Sequence, residues 1–204
     1  MRLSLIGMSN IGKSSWARRL AIPMGLTPFN CDALIEEKLN AAFPGNRRHD
    51  LRGMASWMGL PSDARYAENS KIYQQHEQAI MQNIIAALRA EPTRPAILDT
   101  TGSVIYTGDK ILANLRSLTR VVYLEASDEH TDILFKNFIA NPKPVSWGDV
   151  YAPQTNETLQ ETLHRCYPLL LRNRAQRYKD IAHVTIPFEI HHNDKADLSA
   201  FLEE

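Results

Sequence analysis

Short apolar runs alternate with longer stretches of helical periodicity along the chain. The runs predicted as strands are Leu3 to Ile6, Thr27 to Asn30, Ala96 to Asp99, Val121 to Glu125 and Val184 to Pro187. The stretches predicted as helices are Lys13 to Ala21, Ala33 to Ala41, Ser62 to Ala90, Asp109 to Leu115, Glu129 to Ile139 and Glu157 to Ile181. Short, continuously apolar strands fit a parallel sheet that is covered on both faces. The alternation therefore predicts an α/β protein with a doubly wound sheet.

The longest predicted helix carries an acid on its apolar face. Tyr73, Ile80, Ile84 and Leu88 recur together with Glu77 at steps of three or four residues. Residues at that spacing share one helix face. We therefore expect Glu77 to point inward.

Two stretches interrupt the pattern. Pro44 to Pro61 is rich in Gly, Arg and Met, and Asn141 to Pro153 is rich in Pro. Helices and central strands tolerate such compositions poorly, so both stretches are predicted as loops. They either cover a site or are ordinary surface connections. Met54, Trp57 and Met58 are expected to anchor the first loop on the core.

Composition limits the possible functions. The 204 residues include 23 Lys+Arg and 23 Asp+Glu, and 44% are hydrophobic. One domain with its own core is expected at this length. The balanced charge gives no general attraction for nucleic acid or an acidic membrane, and the basic run Arg47-Arg48-His49 is interpreted as solvated surface.

The two cysteines, Cys31 and Cys166, are far apart and form no CxxC pair, so neither a disulfide framework nor a zinc site is indicated. No apolar run is long enough for a membrane span, and the apolar stretch at the N-terminus is too short for a signal peptide. We expect a cytoplasmic protein.

The strongest motif directly follows the first predicted strand. Gly7 to Ser14 reads GMSNIGKS and fits GxxxxGK[ST], the P-loop pattern, at every fixed position. In a P-loop, successive backbone N–H groups and the positive end of the following helix converge on phosphate oxygens. Lys13 is expected to reach the β- and γ-phosphates, and the Ser14 hydroxyl to hold Mg²⁺. The residues assigned to the nucleotide here are Gly7, Ser9, Asn10, Ile11, Gly12, Lys13, Ser14 and Ser15.

Magnesium on a P-loop normally also needs a carboxylate at the end of a neighbouring strand. Asp99 ends the apolar run Pro95 to Asp99, and the polar turn Thr100 to Ser103 follows it. In open parallel sheets, ligands bind at that edge. Asp99 is thus the candidate metal carboxylate; the alternative is that it caps the next segment.

Beyond the P-loop, the chain resembles the shikimate kinase family, small-molecule kinases of the nucleoside-monophosphate-kinase-like fold. Phe29 to Glu36 reads FNCDALIE and is similar to the family's strand followed by D-x-D-x-x-I-E. Asp32 matches the second aspartate, which in the family contacts a substrate hydroxyl. Asn30 replaces the first, which is associated with the magnesium shell.

The resemblance continues through the regions that hold substrate in the family. Ile72 to Glu77 resembles E-F-R-x-x-E with Gln74 at the substrate arginine, and Thr100 to Ser103 matches the G-G-G-A turn in part. Lys143-Pro144 stands where the family's lid has an R-P pair. Arg174 falls at the arginine that binds the substrate carboxylate. The substrate residues implied are Asp32, Gln74, Thr101, Gly102, Lys143 and Arg174; Lys136 is assigned to the nucleotide.

The resemblance implies a five-stranded parallel sheet in the order 2-3-1-4-5, a substrate-binding helical region over about 33–90 and a mobile lid near 140–155. It implies that ATP, with Mg²⁺, phosphorylates a hydroxyl of a small, carboxylate-bearing acceptor. Lys13, Asp32 and Asp99 are the expected catalytic residues. The alternatives are a kinase acting on a sugar acid, a nucleotide or a polynucleotide end, and a nucleotide-binding pseudokinase or regulatory protein. The oligomeric state is not predicted.

Overall fold

Five parallel strands form the central sheet. The computed structural model describes residues 1–42, 51–193 and 195–197. The strands are β1 (Arg2–Ile6), β2 (Thr27–Asn30), β3 (Ala96–Asp99), β4 (Arg120–Leu124) and β5 (Val184–Ile186). The helices are α1 (Lys13–Ala21), α2 (Cys31–Ala42), α3 (Leu51–Met58), α4 (Tyr66–Ala90), α5 (Asp109–Leu118), α6 (Thr131–Ala140), α7 (Leu159–Ile181) and α8 (Phe188–His191).

The strand order is β2-β3-β1-β4-β5, which confirms the predicted topology. In the register of the sheet, Asp99 pairs with Leu5 on one side and with Asn30 on the other. All the strands run in the same direction, so their carboxyl ends meet at one edge. The loops that leave β1, β2 and β3 are therefore brought together there.

The hydrophobic core lies on both faces of the central strands. Leu3, Leu5, Ile97 and Leu98 are fully buried. Burying an aliphatic side chain of this size contributes about 1.5–3 kcal/mol, which explains why these short strands are continuously apolar. Glu77 is also buried, as the periodicity predicts.

The prediction of a loop over Pro44 to Pro61 is wrong for the part that contains α3. Met54 and Met58 lie one helical turn apart and are both buried, so the segment has an apolar helix face that its Gly and Arg content obscures. The two methionines anchor on the core as expected, and Trp57 packs against it. The basic run Arg47 to His49 lies outside the described residues.

The second interrupted stretch is irregular, apart from a short 3-10 turn at Gly148–Val150. Its middle is not at the surface, because Pro144 to Trp147 are buried. The Trp147 ring contacts Phe138, Tyr151 and Tyr167 at centroid distances of 5.9, 5.8 and 6.4 Å. This part of the predicted lid is therefore packed into an aromatic cluster.

Cys31 and Cys166 are buried and form no disulfide. Among the residues that the structure describes, no helix combines the length and hydropathy that a bilayer span requires.

Candidate functional site

The P-loop leaves β1 and turns sharply into α1. Gly7, Asn10 and Gly12 adopt φ angles of 139°, 64° and 107°, which side-chain-bearing residues rarely adopt. A β-carbon on Gly7 would lie 2.7 Å from the Leu124 carbonyl oxygen, so only glycine fits between the loop and β4. The loop therefore has the backbone form that its sequence predicts.

Lys13 lies over this loop. Its Nζ donates to the carbonyl oxygens of Gly7 and Met8, both at 2.9 Å. Burial lowers the pKa of Lys13 to about 8, although the carboxylates of Asp99 and Asp32 act to raise it. An anion placed beside the ammonium would favour the charged form. The lysine is thus held at the loop by neutral acceptors and can be turned towards a phosphate.

A cavity of about 330 Å³ opens between the P-loop and the carboxyl ends of β2 and β3. It brings together residues distant in sequence. Ser9, Asn10, Gly12, Lys13, Ser14 and Ser15 line it from the P-loop, and Asp32, Asp99 and Lys143 line it from other segments. We call it the P-loop cavity. Ile11 lies next to it with its side chain fully buried, so the residue offers the cavity its backbone only.

Two lining residues have no signal in the sequence. Asn137 and Asn141 lie at the end of α6, and the Asn10 side chain donates to their carbonyl oxygens at 3.4 and 3.1 Å. These hydrogen bonds use the backbone carbonyls of the two residues, which any residue type provides. The sequence therefore contains no pattern that could reveal the two positions.

Ser14 and Asp99 fit a magnesium site that is completed by phosphate. The hydroxyl of Ser14 and the carboxylate of Asp99 line the same cavity and are oxygen donors, which Mg²⁺ prefers. Within the described residues, no group of three or more His, Cys, Asp or Glu side chains could hold a metal by itself. Mg²⁺ is usually bound by one or two carboxylates together with substrate phosphates, so a site with one carboxylate still requires the phosphates of a nucleotide.

Asn30 stands opposite Asp99 but has a different contact. Its side-chain oxygen accepts a hydrogen bond from the Ala33 amide at 3.0 Å and so caps the start of α2. The cap explains why the helix begins earlier than predicted. It also places Asp32 in the first turn, where the carboxylate faces the cavity.

Asp32 lies between the P-loop cavity and α4. The Tyr73 hydroxyl donates to its Oδ1 at 3.4 Å. Desolvation raises the pKa of Asp32, while Lys143 and Lys13 act to lower it. A carboxylate with a raised pKa is a better proton acceptor than an ordinary aspartate.

The turn after β3 packs against the P-loop. A β-carbon on Gly102 would lie 2.9 Å from the Ser9 amide nitrogen. Thr101 donates to Glu77, and Ser103 donates to both oxygens of the same carboxylate at 2.9 and 2.8 Å. Burial raises the pKa of Glu77 to about 7 despite these bonds. Thr101 thus contacts Glu77, and Gly102 forms part of the wall behind the P-loop.

Arg174 and Gln74 both face the lid. Arg174 is buried; its Nη1 donates to the Gly102 carbonyl at 2.9 Å and its Nη2 to the Ser146 carbonyl at 2.5 Å. Gln74 Nε2 donates to the Ser146 hydroxyl at 3.4 Å. Neither Arg174 nor Gln74 is among the described residues that line the P-loop cavity.

Lys136 is also placed elsewhere. It is exposed and lines a groove of about 610 Å³ between α6 and α7, together with Phe135 and His164. The structure therefore brings together Lys13, Ser14, Asp32, Asp99 and Lys143. Arg174, Gln74 and Lys136 do not line this cavity, although Arg174 lies next to the P-loop, where its Nη1 is 3.6 Å from the Met8 sulfur.

The fold is similar to that of solved shikimate kinases. An Acinetobacter baumannii shikimate kinase in complex with shikimate matches with a TM-score of 0.62 at 18% identity, covering 91% of this chain and 82% of that one. The Bacteroides thetaiotaomicron shikimate kinase matches with a TM-score of 0.62 at 14% identity, covering 95% and 90%. The Aquifex aeolicus shikimate kinase matches with a TM-score of 0.55 at 13% sequence identity, covering 93% of this chain and 88% of that one.

No protein-family model matches the chain, and a comparison with curated protein sequences found no match. The strand order, the P-loop and these structural matches define an α/β protein with the fold of P-loop kinases. Within that class the fold is shikimate kinase-like.

Proposed function

We propose that this chain is an ATP-dependent kinase that phosphorylates a hydroxyl of a small, carboxylate-bearing metabolite, as its resemblance to shikimate kinases implies. One observation carries the proposal. Lys13 and Ser14 of the P-loop line a single cavity with Asp32 and Asp99, which come from two other strand ends. Phosphoryl transfer needs groups that hold a triphosphate, a metal and an acceptor in one place, and this cavity supplies each kind.

In the proposed reaction, the P-loop amides and the Lys13 ammonium hold the β- and γ-phosphates of ATP. The acceptor oxygen forms a bond to the γ-phosphorus, the bond from that phosphorus to the bridging oxygen breaks, and ADP leaves with the electron pair. Asp32 orients the acceptor hydroxyl and takes its proton. Ser14 and Asp99 would hold Mg²⁺, which supplies charge neutralisation on the phosphates when bound.

Lys143 lines the cavity opposite the P-loop and is the lid cation of this proposal. A positive charge there stabilises the negative charge that develops during transfer. Gly102 contributes through its close approach to Ser9 and Thr101 through its hydrogen bond to Glu77, and neither lines the cavity itself.

Nucleotide binding and transfer can be tested on the purified protein. We expect ADP with Mg²⁺ to bind, and ATP consumption to rise when a hydroxy acid acceptor is added. Lys13→Ala should abolish transfer, whereas Lys110→Ala, at an exposed lysine in the first turn of α5, should not change it. Retained transfer in Lys13→Ala would refute the P-loop assignment. Nucleotide binding without transfer to any acceptor would instead favour the regulatory alternative.

A further inference from the structure

The two side chains that the resemblance assigns to the acceptor carboxylate are bonded to the chain itself. Ser146 accepts from Arg174 through its carbonyl and from Gln74 through its hydroxyl. Tyr66 fixes the same segment, since its hydroxyl donates to the Val145 carbonyl at 3.0 Å and accepts from the Trp147 amide at 2.8 Å. Residues 145–147 are also buried. An acceptor anion would therefore have to displace a packed segment to reach Arg174.

A second cleft adjoins the P-loop cavity on its outer side. It has a volume of about 470 Å³, a size typical of small-molecule sites. Asp32, Asn141 and Lys143 line both spaces, so an acceptor in this outer cleft can reach the phosphates. Arg52 of α3 and Glu36 of α2 also line this cleft.

Arg52 is held in position at this cleft. Its Nη2 donates to the carbonyl of Ala140, the last residue of α6, at 2.9 Å. Because that acceptor is an uncharged carbonyl, this hydrogen bond does not neutralise the positive charge of the guanidinium. Guanidinium groups have five donors in a planar fork and can bind a carboxylate or phosphate with two parallel hydrogen bonds. The ammonium of Lys143 lies on the same cleft.

We propose that Arg52, together with Lys143, binds an anionic group of the acceptor while the acceptor hydroxyl faces Asp32. This inference rests on the proposed kinase function and names the residues that select its substrate. Asp32 and Arg52 line the same cleft of about 470 Å³, so it fits a small alcohol that carries a single carboxylate or phosphate.

Binding can be measured without turnover. The protein is first loaded with Mg²⁺ and ADP, so that the P-loop is occupied, and is then titrated by calorimetry. The probes are shikimate, quinate, D-glycerate and glycerol 3-phosphate, each compared with an uncharged counterpart such as methyl shikimate or glycerol. We expect at least one anionic probe to bind and its uncharged counterpart to bind more weakly. Arg52→Gln should lower the affinity for the anionic probe by about ten- to hundredfold, which is the range expected for the loss of one hydrogen bond to a charged group.

The matched control is Arg89→Gln. Arg89 is an exposed arginine near the end of α4, where it donates to the Asn114 side chain. The chain enters β3 soon after this helix, so Arg89 lies at the sheet edge opposite the P-loop. This variant should bind the anionic probes as the wild type does. Arg52→Lys should recover part of the affinity, because it restores the charge without the fork.

Three results would overturn the inference: no anionic probe binds, binding is unchanged in Arg52→Gln, or Arg52→Gln weakens charged and uncharged probes equally. ADP affinity separates these failures from failure of the kinase proposal. If Mg²⁺ and ADP do not bind to the wild type, the proposed function fails first. If they bind normally and Arg52→Gln has no effect on the probes, only the assignment of Arg52 fails.

Discussion

Gly102 lies so close to Ser9 that the turn after β3 forms the back wall of the P-loop. A β-carbon at residue 102 would meet the Ser9 hydroxyl oxygen at 2.8 Å and the Ser9 amide nitrogen at 2.9 Å. The hydroxyl can rotate away, but the amide belongs to the loop backbone. The shape of the phosphate-binding loop therefore depends on a residue from another strand.

Gly102→Ala should weaken ADP binding, because the added methyl group pushes the Ser9 amide out of position. We expect a loss of at least tenfold in ADP affinity by calorimetry. Gly25→Ala is the control: a β-carbon there meets nothing within 4 Å but must adopt a φ of 63°. It should cost about 1 kcal/mol of folding stability and leave ADP affinity unchanged. Equal ADP affinities in the two variants would contradict the proposed contact.

Glu77→Gln should flatten the dependence of folding stability on pH. The pKa of Glu77 is raised from 4.5 to about 7 in the folded protein, so between those values the folded state binds more protons than the unfolded state. Stability attributable to this group is therefore present below about pH 4.5 and is lost as the pH rises to about 7. The shift corresponds to about 3 kcal/mol. Urea denaturation from pH 5 to 8 measures it in both proteins.

The difference between the two curves isolates Glu77 from the other titrating groups. Burial lowers the pKa of His183 and of His191, so their contributions change with pH in the opposite direction. These contributions are common to both proteins and cancel in the difference. Parallel curves for wild type and Glu77→Gln would show that the carboxylate is not destabilised by burial.

Trp147→Ala should destabilise the protein by about 3–5 kcal/mol, since it empties the centre of an aromatic cluster. Among the described residues, the Trp147 Nε1 has no hydrogen-bond partner. Trp147→Phe removes no such bond and should therefore cost clearly less than the alanine variant. Urea denaturation gives both values. Equal losses for the two variants would contradict the assignment of the Trp147 ring as the centre of this cluster, since Phe keeps an aromatic ring there.

The fold was predictable because its signals are local. Each strand is a short apolar run, and the P-loop fixes the first strand and the first helix. The sequence does not predict α3, because its two buried methionines, Met54 and Met58, stand in a segment whose composition is typical of loops. The four-residue helix α8 is too short to show periodicity.

The sequence predicts the site residues only where they lie at or just after the end of an apolar strand. Asp32 and Asp99 follow or end apolar strands, and the topology of a parallel sheet places them at one edge. The contact between Arg174 and Ser146 joins segments 28 residues apart through a backbone carbonyl, which no sequence pattern marks. Arg52 escapes prediction for another reason, because the composition around it indicates a loop although it lies on α3.

ADP binding should take up a proton at Lys13. Burial gives this lysine a pKa of about 8 in the absence of phosphate, and an adjacent polyphosphate raises it. Above pH 8 the neutral amine must therefore be protonated on binding, and ADP affinity should fall by up to tenfold per pH unit. Calorimetry in buffers of different ionisation enthalpy measures the proton uptake directly. Lys13→Arg keeps its charge at these pH values, so its ADP affinity should be lower but independent of pH. If the arginine variant shows the same slope, the proton is bound by another group and the assignment to Lys13 is wrong.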